Sequence, residues 1–117
     1  MESNRFPVVL NKSQDFKIIY KKGRRVHPCS WLTVNYKSND LGQVRVGWTV
    51  PCYVGKAVVR NKLKRWCREF IRSKAVGFEN KSIDTNIVFR KSQKEFYKKL
   101  KFVEFEKELE RAYAKII

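Results

Sequence analysis

From Val54 to Arg72 the chain reads VGKAVVRNKLKRWCREFIR. Eight basic residues lie between Lys56 and Lys74 (Lys56, Arg60, Lys62, Lys64, Arg65, Arg68, Arg72 and Lys74), against one acid, Glu69. Cations in such a row can grip phosphate. Arg does so with two parallel hydrogen bonds, and Asn61 beside Arg60 can reach a phosphate, a sugar hydroxyl or a base edge. The spacing predicts a helix: Arg60, Lys64, Arg68 and Arg72 recur every fourth residue on one flank, while Val59, Leu63, Trp66 and Phe70 fall within about 60° of one another. Like charges at this spacing each destabilise an isolated helix by roughly 0.2 to 0.5 kcal/mol. A merely solvated helix ordinarily interleaves Glu with Lys, so this one calls for a polyanion outside it, with nucleic acid the leading candidate.

A second pair with chemical potential is Phe16 and Tyr20, one helical turn apart. Two such rings can offer stacking surfaces, worth about 1 to 3 kcal/mol per base in single-strand binders. The same spacing suits two aromatics that pack a core, and the residues alone leave both readings open. Hydrolytic chemistry within the chain is disfavoured. Asp15, Asp40 and Asp84 are scattered, and His27 is the only histidine, so neither a two-metal carboxylate cluster nor a positioned base is visible. Cys29, Cys52 and Cys67 are odd in number and widely spaced, which fits buried or incidental thiols rather than a disulfide framework or zinc site.

The elements that must position these groups fit one domain of 117 residues. Lys and Arg total 27 against 11 Asp and Glu, a net charge of +16, and 43% hydrophobic content argues for a packed core. Such a field concentrates nucleic acid, anionic membrane or acidic protein alike. No apolar run approaches the roughly 20 residues of a membrane span, and MESNRFPVVL lacks a secretory layout, so a cytoplasmic protein without a membrane role is expected. A first helix is predicted from Ser13, as N-cap, to a stop at Gly23. Ser30–Tyr36 and Gln43–Val50 read as strands joined in a hairpin through Ser38–Gly42, with Pro51 closing the second. The basic helix occupies about 56–74, Ser73–Ile83 reads as a loop and Asn86–Phe89 as a further strand. Ser92 and Glu95 form an S-x-x-E capping box for a C-terminal helix over about 93–115, using Leu100, Val103, Leu109, Ala112 and Ile116, with a break near Lys101. The class is α+β, a small sandwich with helices on one side of a sheet.

The run GKAVVRNKLKRWCRE closely resembles the signature of the bacterial ribonuclease P protein component, approximately GxAVxRNRxKRxxRE. VRVGWTV is similar to the strand that leads into it, Asp15-Phe16 and Tyr20 followed by Gly23 to the family's first helix, and NIVFRKS to its fourth strand. The resemblance extends from about Phe6 to Tyr113. It implies an α-β-β-β-α-β-α sandwich, with a mostly antiparallel sheet and a left-handed βαβ crossover, that assists a catalytic RNA in trimming the 5′ leader from precursor tRNA. On that pattern Arg60, Asn61, Lys62, Lys64, Arg65 and Arg68 dock on the catalytic RNA. Phe16, Tyr20 and Arg90 approach the single-stranded leader in a cleft between the first helix and the sheet. The resemblance further implies that Mg²⁺ is bound by the RNA partner, with none held by the protein alone, and that no obligate protein partner is needed.

Departures from the family pattern are specific. Lys62 stands where Arg is usual, keeping charge but losing the planar fork. Pro51, Cys52 and Tyr53 replace a Ser-Lys-Lys-like stretch, so contacts of those lysines do not carry over. Val34 occupies a position often held by tyrosine, with Tyr36 two residues on along the same face. A non-catalytic RNA-binding protein of ribosomal type, for which the charge is equally natural, is the rival reading, and a peripheral membrane protein the third.

Overall fold

A computed structural model describes residues 8–78 and 80–116. The segment MESNRFP, on which the absent secretory layout and the start of the resemblance at Phe6 rest, lies outside the described residues. The elements are β1 (Val8–Val9), α1 (Ser13–Lys22), β2 (Arg24–Cys29), β3 (Leu32–Ser38), β4 (Val44–Thr49), α2 (Ala57–Ser73), β5 (Ile83–Phe89), α3 (Phe96–Lys99) and α4 (Phe102–Ile116). The strands form one sheet in the order β1-β4-β5-β3-β2. Short 3-10 turns at Cys52–Val54 and Ala75–Phe78 flank α2, the second within the stretch expected to be a loop.

The expected hairpin between the two β-branched segments does not form, because β5 sits between β3 and β4. It pairs antiparallel with β3 over Leu32–Ser38 and parallel with β4 over Val44–Thr49. Asp84 to Ile87 are consecutively buried, and a strand dry on both faces belongs in the middle of a sheet. The hairpin that does form joins β2 to β3. The segment RRVHPC gives a weak strand signal because it is an edge strand, with Pro28 in the register shift between Val26 and Cys29, where a missing N–H does no harm. The sheet is mixed, and the antiparallel ladders contribute more registered positions than the parallel ones.

Chirality gives the hand of the β4–α2–β5 connection. Val46 points its side chain into the core beneath α2, and its carbonyl accepts from Leu10 N–H at 2.9 Å, on the β1 side. With β4 running upward and Val46 toward the viewer, an L-residue directs its carbonyl to the right. Leu10 therefore lies to the right and β5 to the left, under a helix that faces the viewer. The crossover is left-handed, against the strong right-handed preference of parallel connections.

The core lies between the sheet and the pair α2 and α4. Leu63, Cys67 and Phe70 of α2 meet Phe105, Leu109 and Ala112 of α4 above Leu32, Val34, Val46, Ile87 and Phe89. Phe89 and Phe105 stack with centroids 5.8 Å apart. Val59 and Trp66, expected in the stripe, form its half-buried rim, with Trp66 edge-on to Phe102 at 5.6 Å.

Two helix starts differ from expectation. The N-cap of α1 is Lys12 rather than Ser13, and no side chain caps it. The Ser92–Glu95 capping box is also absent: Glu95 adopts a left-handed conformation (φ 63°) and makes no cap bond. The helix breaks at Leu100, near the predicted place, and the reciprocal bond is made one helix later, where Glu104 Oε1 accepts from Lys101 N–H at 3.0 Å. The physical reason is phase. Tyr97 and Leu100 are buried with α3, whereas Phe105, Leu109, Ala112 and Tyr113 lie on a stripe that a continuous helix would turn elsewhere, leaving Val103 exposed. Gly23 ends α1 as expected, though not through positive φ. A Cβ there would sit 2.4 Å from the Tyr36 carbonyl oxygen, so close approach excludes other residues.

Candidate nucleic-acid interface

The basic face of α2 stands on the apolar seam just described. Asn61, Arg65 and Arg68 are exposed, while Arg60, Lys62 and Lys64 are half-buried along its flanks. Arg60 Nε donates to the Gly55 carbonyl at 3.2 Å, steadying the turn that enters the helix. The Arg68 guanidinium lies 5.3 Å from the Trp48 ring centroid, held against an aromatic face with its donors free. Among the described residues, the ion pairs join Arg45 to Asp15 and Asp84, Lys74 to Glu110, and Arg111 to Glu108. None neutralises a cation from Arg60 to Arg72. The repulsion legible in the sequence is therefore left standing by the fold.

Lys62 differs from its neighbours. Its ammonium donates to the carbonyls of Tyr97 at 2.8 Å and Lys98 at 3.2 Å, and lies 4.9 Å from the Trp66 ring centroid. Burial, with Arg65 adding to it, lowers the pKa of this amine.

On the opposite face of the sheet, α1 leaves a groove of about 370 Å³ lined by Phe16, Lys17, Tyr20, Lys21, Asn35, Thr49, Asn86 and Val88. Strand alternation explains the lining, because Asn35, Thr49, Asn86 and Val88 point away from the α2 core. Phe16 packs over Gly47, where an added Cβ would fall 2.5 Å from the Phe16 ring. Tyr20 is 61% exposed, with Arg25 stacked 4.6 Å from its centroid and hydrogen-bonded to its carbonyl. The two aromatics thus divide the roles left open by their spacing: Phe16 closes onto the sheet and Tyr20 is wet.

The floor is largely polar, with Asn35 and Asn86 buried, Val88 half-buried and Thr49 exposed. Thr49 and Asn86 satisfy each other at 3.0 and 3.2 Å. Asn35 is only 5% exposed, and its Oδ1 has no hydrogen-bond partner. Arg90 is exposed just past β5 on this same sheet face, with Nη1 3.5 Å from Thr33 Oγ1, which also contacts His27 Nδ1 at 3.0 Å. At the other end Arg45 forks onto Asp84 at 2.7 and 2.8 Å and reaches Asp15 of α1 at 3.7 Å, fixing that helix to the sheet.

Sequence reasoning did not single out Asn35, Thr49, Asn86 or Arg25. Alternation in LTVNYKS, with Leu32 and Val34 against Thr33 and Asn35, carried the missing signal. The same alternation puts Tyr36 on the face of buried Val34, so Tyr36 does not supply an aromatic to the groove. Among the described residues no cluster of three or more His, Cys, Asp or Glu is placed to hold a metal ion, and no helix is long and apolar enough to cross a membrane. Cys67 is fully buried, and desolvation pushes its thiol pKa far up, making it inert core material.

The class defined by this arrangement is a small basic α+β domain whose sheet carries an unneutralised cationic helix on one side and an open polar groove on the other. Residues 7–117 match the family model described as Ribonuclease P. The ribonuclease P protein component of Thermotoga petrophila is 37% identical over 93 residues, covering 80% of this chain and 78% of that protein. That of Staphylococcus epidermidis is 38% identical over 60 residues, covering 51% and 52%. Among solved structures, the RNase P protein from Thermotoga maritima in complex with 1-(4-fluorophenyl)-2-thiourea superposes with a TM-score of 0.78 at 32% identity, covering 87% of this chain and 94% of that one. The Staphylococcus aureus protein gives 0.78 at 25% identity, covering 91% and 92%. The chain belongs to the ribonuclease P protein component family, protein components of a ribonucleoprotein of tRNA 5′ processing.

Proposed function

We propose that this chain is the protein subunit that docks on the catalytic RNA of ribonuclease P through α2, receives the 5′ leader of precursor tRNA in the α1 groove, and so assists endonucleolytic removal of the leader. The observation that carries the reading is the row Arg60, Lys64, Arg65 and Arg68, backed by core and met by no carboxylate among the described residues. Phosphodiesters of a folded RNA supply the missing counter-charge, and Asn61 adds a neutral donor and acceptor between them. A single strand suits the groove, because unstacked bases can lie against Phe16 and Tyr20 while Lys17, Lys21 and Arg25 follow the backbone. Arg90 extends that cationic track.

The bond cleavage belongs to Mg²⁺ held by the RNA. Asp15 and Asp84, the carboxylates nearest the groove, are both engaged by Arg45 and offer no open ligand set. What the protein contributes is substrate grip and charge neutralisation. Adding the purified chain to a bacterial ribonuclease P RNA at low Mg²⁺ tests this: cleavage of precursor tRNA is expected to recover, with precursor bound more tightly than mature tRNA. RNA binding without either effect would return the chain to the ribosomal-type reading.

A further inference from the structure

We propose that Lys62, although it sits within the cationic signature, is a positioning residue that ties the docking helix to the Arg90 end of the groove through α3. The inference rests on the docking and leader readings above and assigns one of their expected phosphate ligands a different task.

The short helix α3 ends in orphan carbonyls. A helix of four residues leaves its C-terminal carbonyls without intrahelical partners. In α3 the Phe96 and Glu95 carbonyls are taken by Leu100 N–H and Lys99 N–H, leaving those of Tyr97, Lys98 and Lys99. The Lys62 ammonium donates to the first two, at 2.8 and 3.2 Å. It has three N–H donors, so two are spent inside the protein, and the Trp66 ring covers it at 4.9 Å. A cation is also well placed at a helix C-terminus.

The link continues beyond α3. Tyr97 is buried, and its single O–H is shared between the carbonyls of Arg90 and, at 3.0 Å, Trp31. Arg90 N–H in turn donates to Trp31 at 2.9 Å. One continuous path of hydrogen bonds therefore runs from α2 through Lys62 and Tyr97 to the backbone that presents Arg90 on the groove face. No comparable path leaves Arg65 or Arg68, whose side chains make no hydrogen bond within the described residues.

The test compares three variants in the holoenzyme assembled on a bacterial ribonuclease P RNA. Arg65→Met is expected to flatten the dependence of log K for RNA assembly on log salt by about one phosphate contact. Lys62→Met is expected to leave that slope at the wild-type value and to reduce the preference for precursor over mature tRNA by roughly threefold or more, part of the factor a charge-assisted bond can supply. Lys62→Arg retains donors for both carbonyls and should restore the preference. Circular dichroism on each variant confirms the fold. Should Lys62→Met lose slope as Arg65→Met does, with the preference intact, Lys62 is a phosphate ligand and the proposal fails. It fails equally if Lys62→Met changes neither quantity, or if Lys62→Arg does not rescue. An unchanged slope in Arg65→Met, or a wild-type chain that shows no preference for precursor, would instead overturn the docking or leader reading beneath it.

Discussion

The two faces of the sheet are built to opposite rules. Toward α2 and α4, side chains are apolar and close-packed, and the buried polar pair Thr85 and Tyr113 is satisfied by a 2.6 Å hydrogen bond. Toward α1, the sheet presents Thr33, Asn35, Thr49, Asp84 and Asn86, and a buried amide oxygen goes unpartnered. An unmade buried hydrogen bond costs about 1 to 3 kcal/mol, a large share of a small domain's stability. The contrast lies in one atom: Thr33, Thr49, Asp84 and Asn86 are paired within the protein, whereas Asn35 Oδ1 on the α1 face is left without a partner.

The largest effect should follow from emptying the dry face. Phe105 is fully buried between Phe89 and Trp66, so Phe105→Ala is expected to destabilise by about 3 to 5 kcal/mol, through lost transfer energy and the cavity left behind. Urea unfolding measures it. A cost below about 1 kcal/mol would mean that this face packs no more tightly than the other. A smaller effect is expected at Gly47→Ala, where a methyl group would meet the Phe16 ring at 2.5 Å. Overpacking of this kind costs about 1 to 3 kcal/mol, and Phe16 must swing away from the floor it covers. Leader affinity should fall with stability in that variant. Unchanged precursor binding would remove Phe16 from the groove's working surface.

The contrast between the faces also separates what the chain disclosed from what it concealed. The basic helix is legible almost to the residue, since Lys56 and Lys74 are its caps and both its seam and its cations repeat with the helical period. Periodicity reports faces of a single element well. It says nothing of which strands become neighbours, so the sequence suggests a hairpin of β3 with β4 where β5 intervenes, and Pro28 and a charged edge hide β2. Lys62 illustrates a further limit. Its place in the basic row is written in the sequence, yet the orphan carbonyls that claim its ammonium exist only because α3 stops after four residues. The resemblance supplied three consecutive strands between the helices, which local patterns alone did not.

The smallest stability effect, and the sharpest division between the faces, is expected at Asn35. Leucine has the same count and branching of heavy atoms, with bulkier methyl groups in place of the planar amide, and forms no hydrogen bonds. Because Asn35 Oδ1 is unpaired, Asn35→Leu removes a buried desolvation penalty, and stability should change by less than about 0.5 kcal/mol or rise by about 1 kcal/mol. An ordinary buried amide, satisfied by its neighbours, would lose stability on the same change. Precursor binding should move the other way and weaken, because the groove loses the acceptor that a leader base or sugar hydroxyl can fill, while assembly with the RNA through α2 stays unaltered. A drop of more than about 1 kcal/mol in urea unfolding would show that the free protein already satisfies this amide. The α1 face would then obey the same rule as the core, and the division of labour between the two faces would have to be drawn elsewhere.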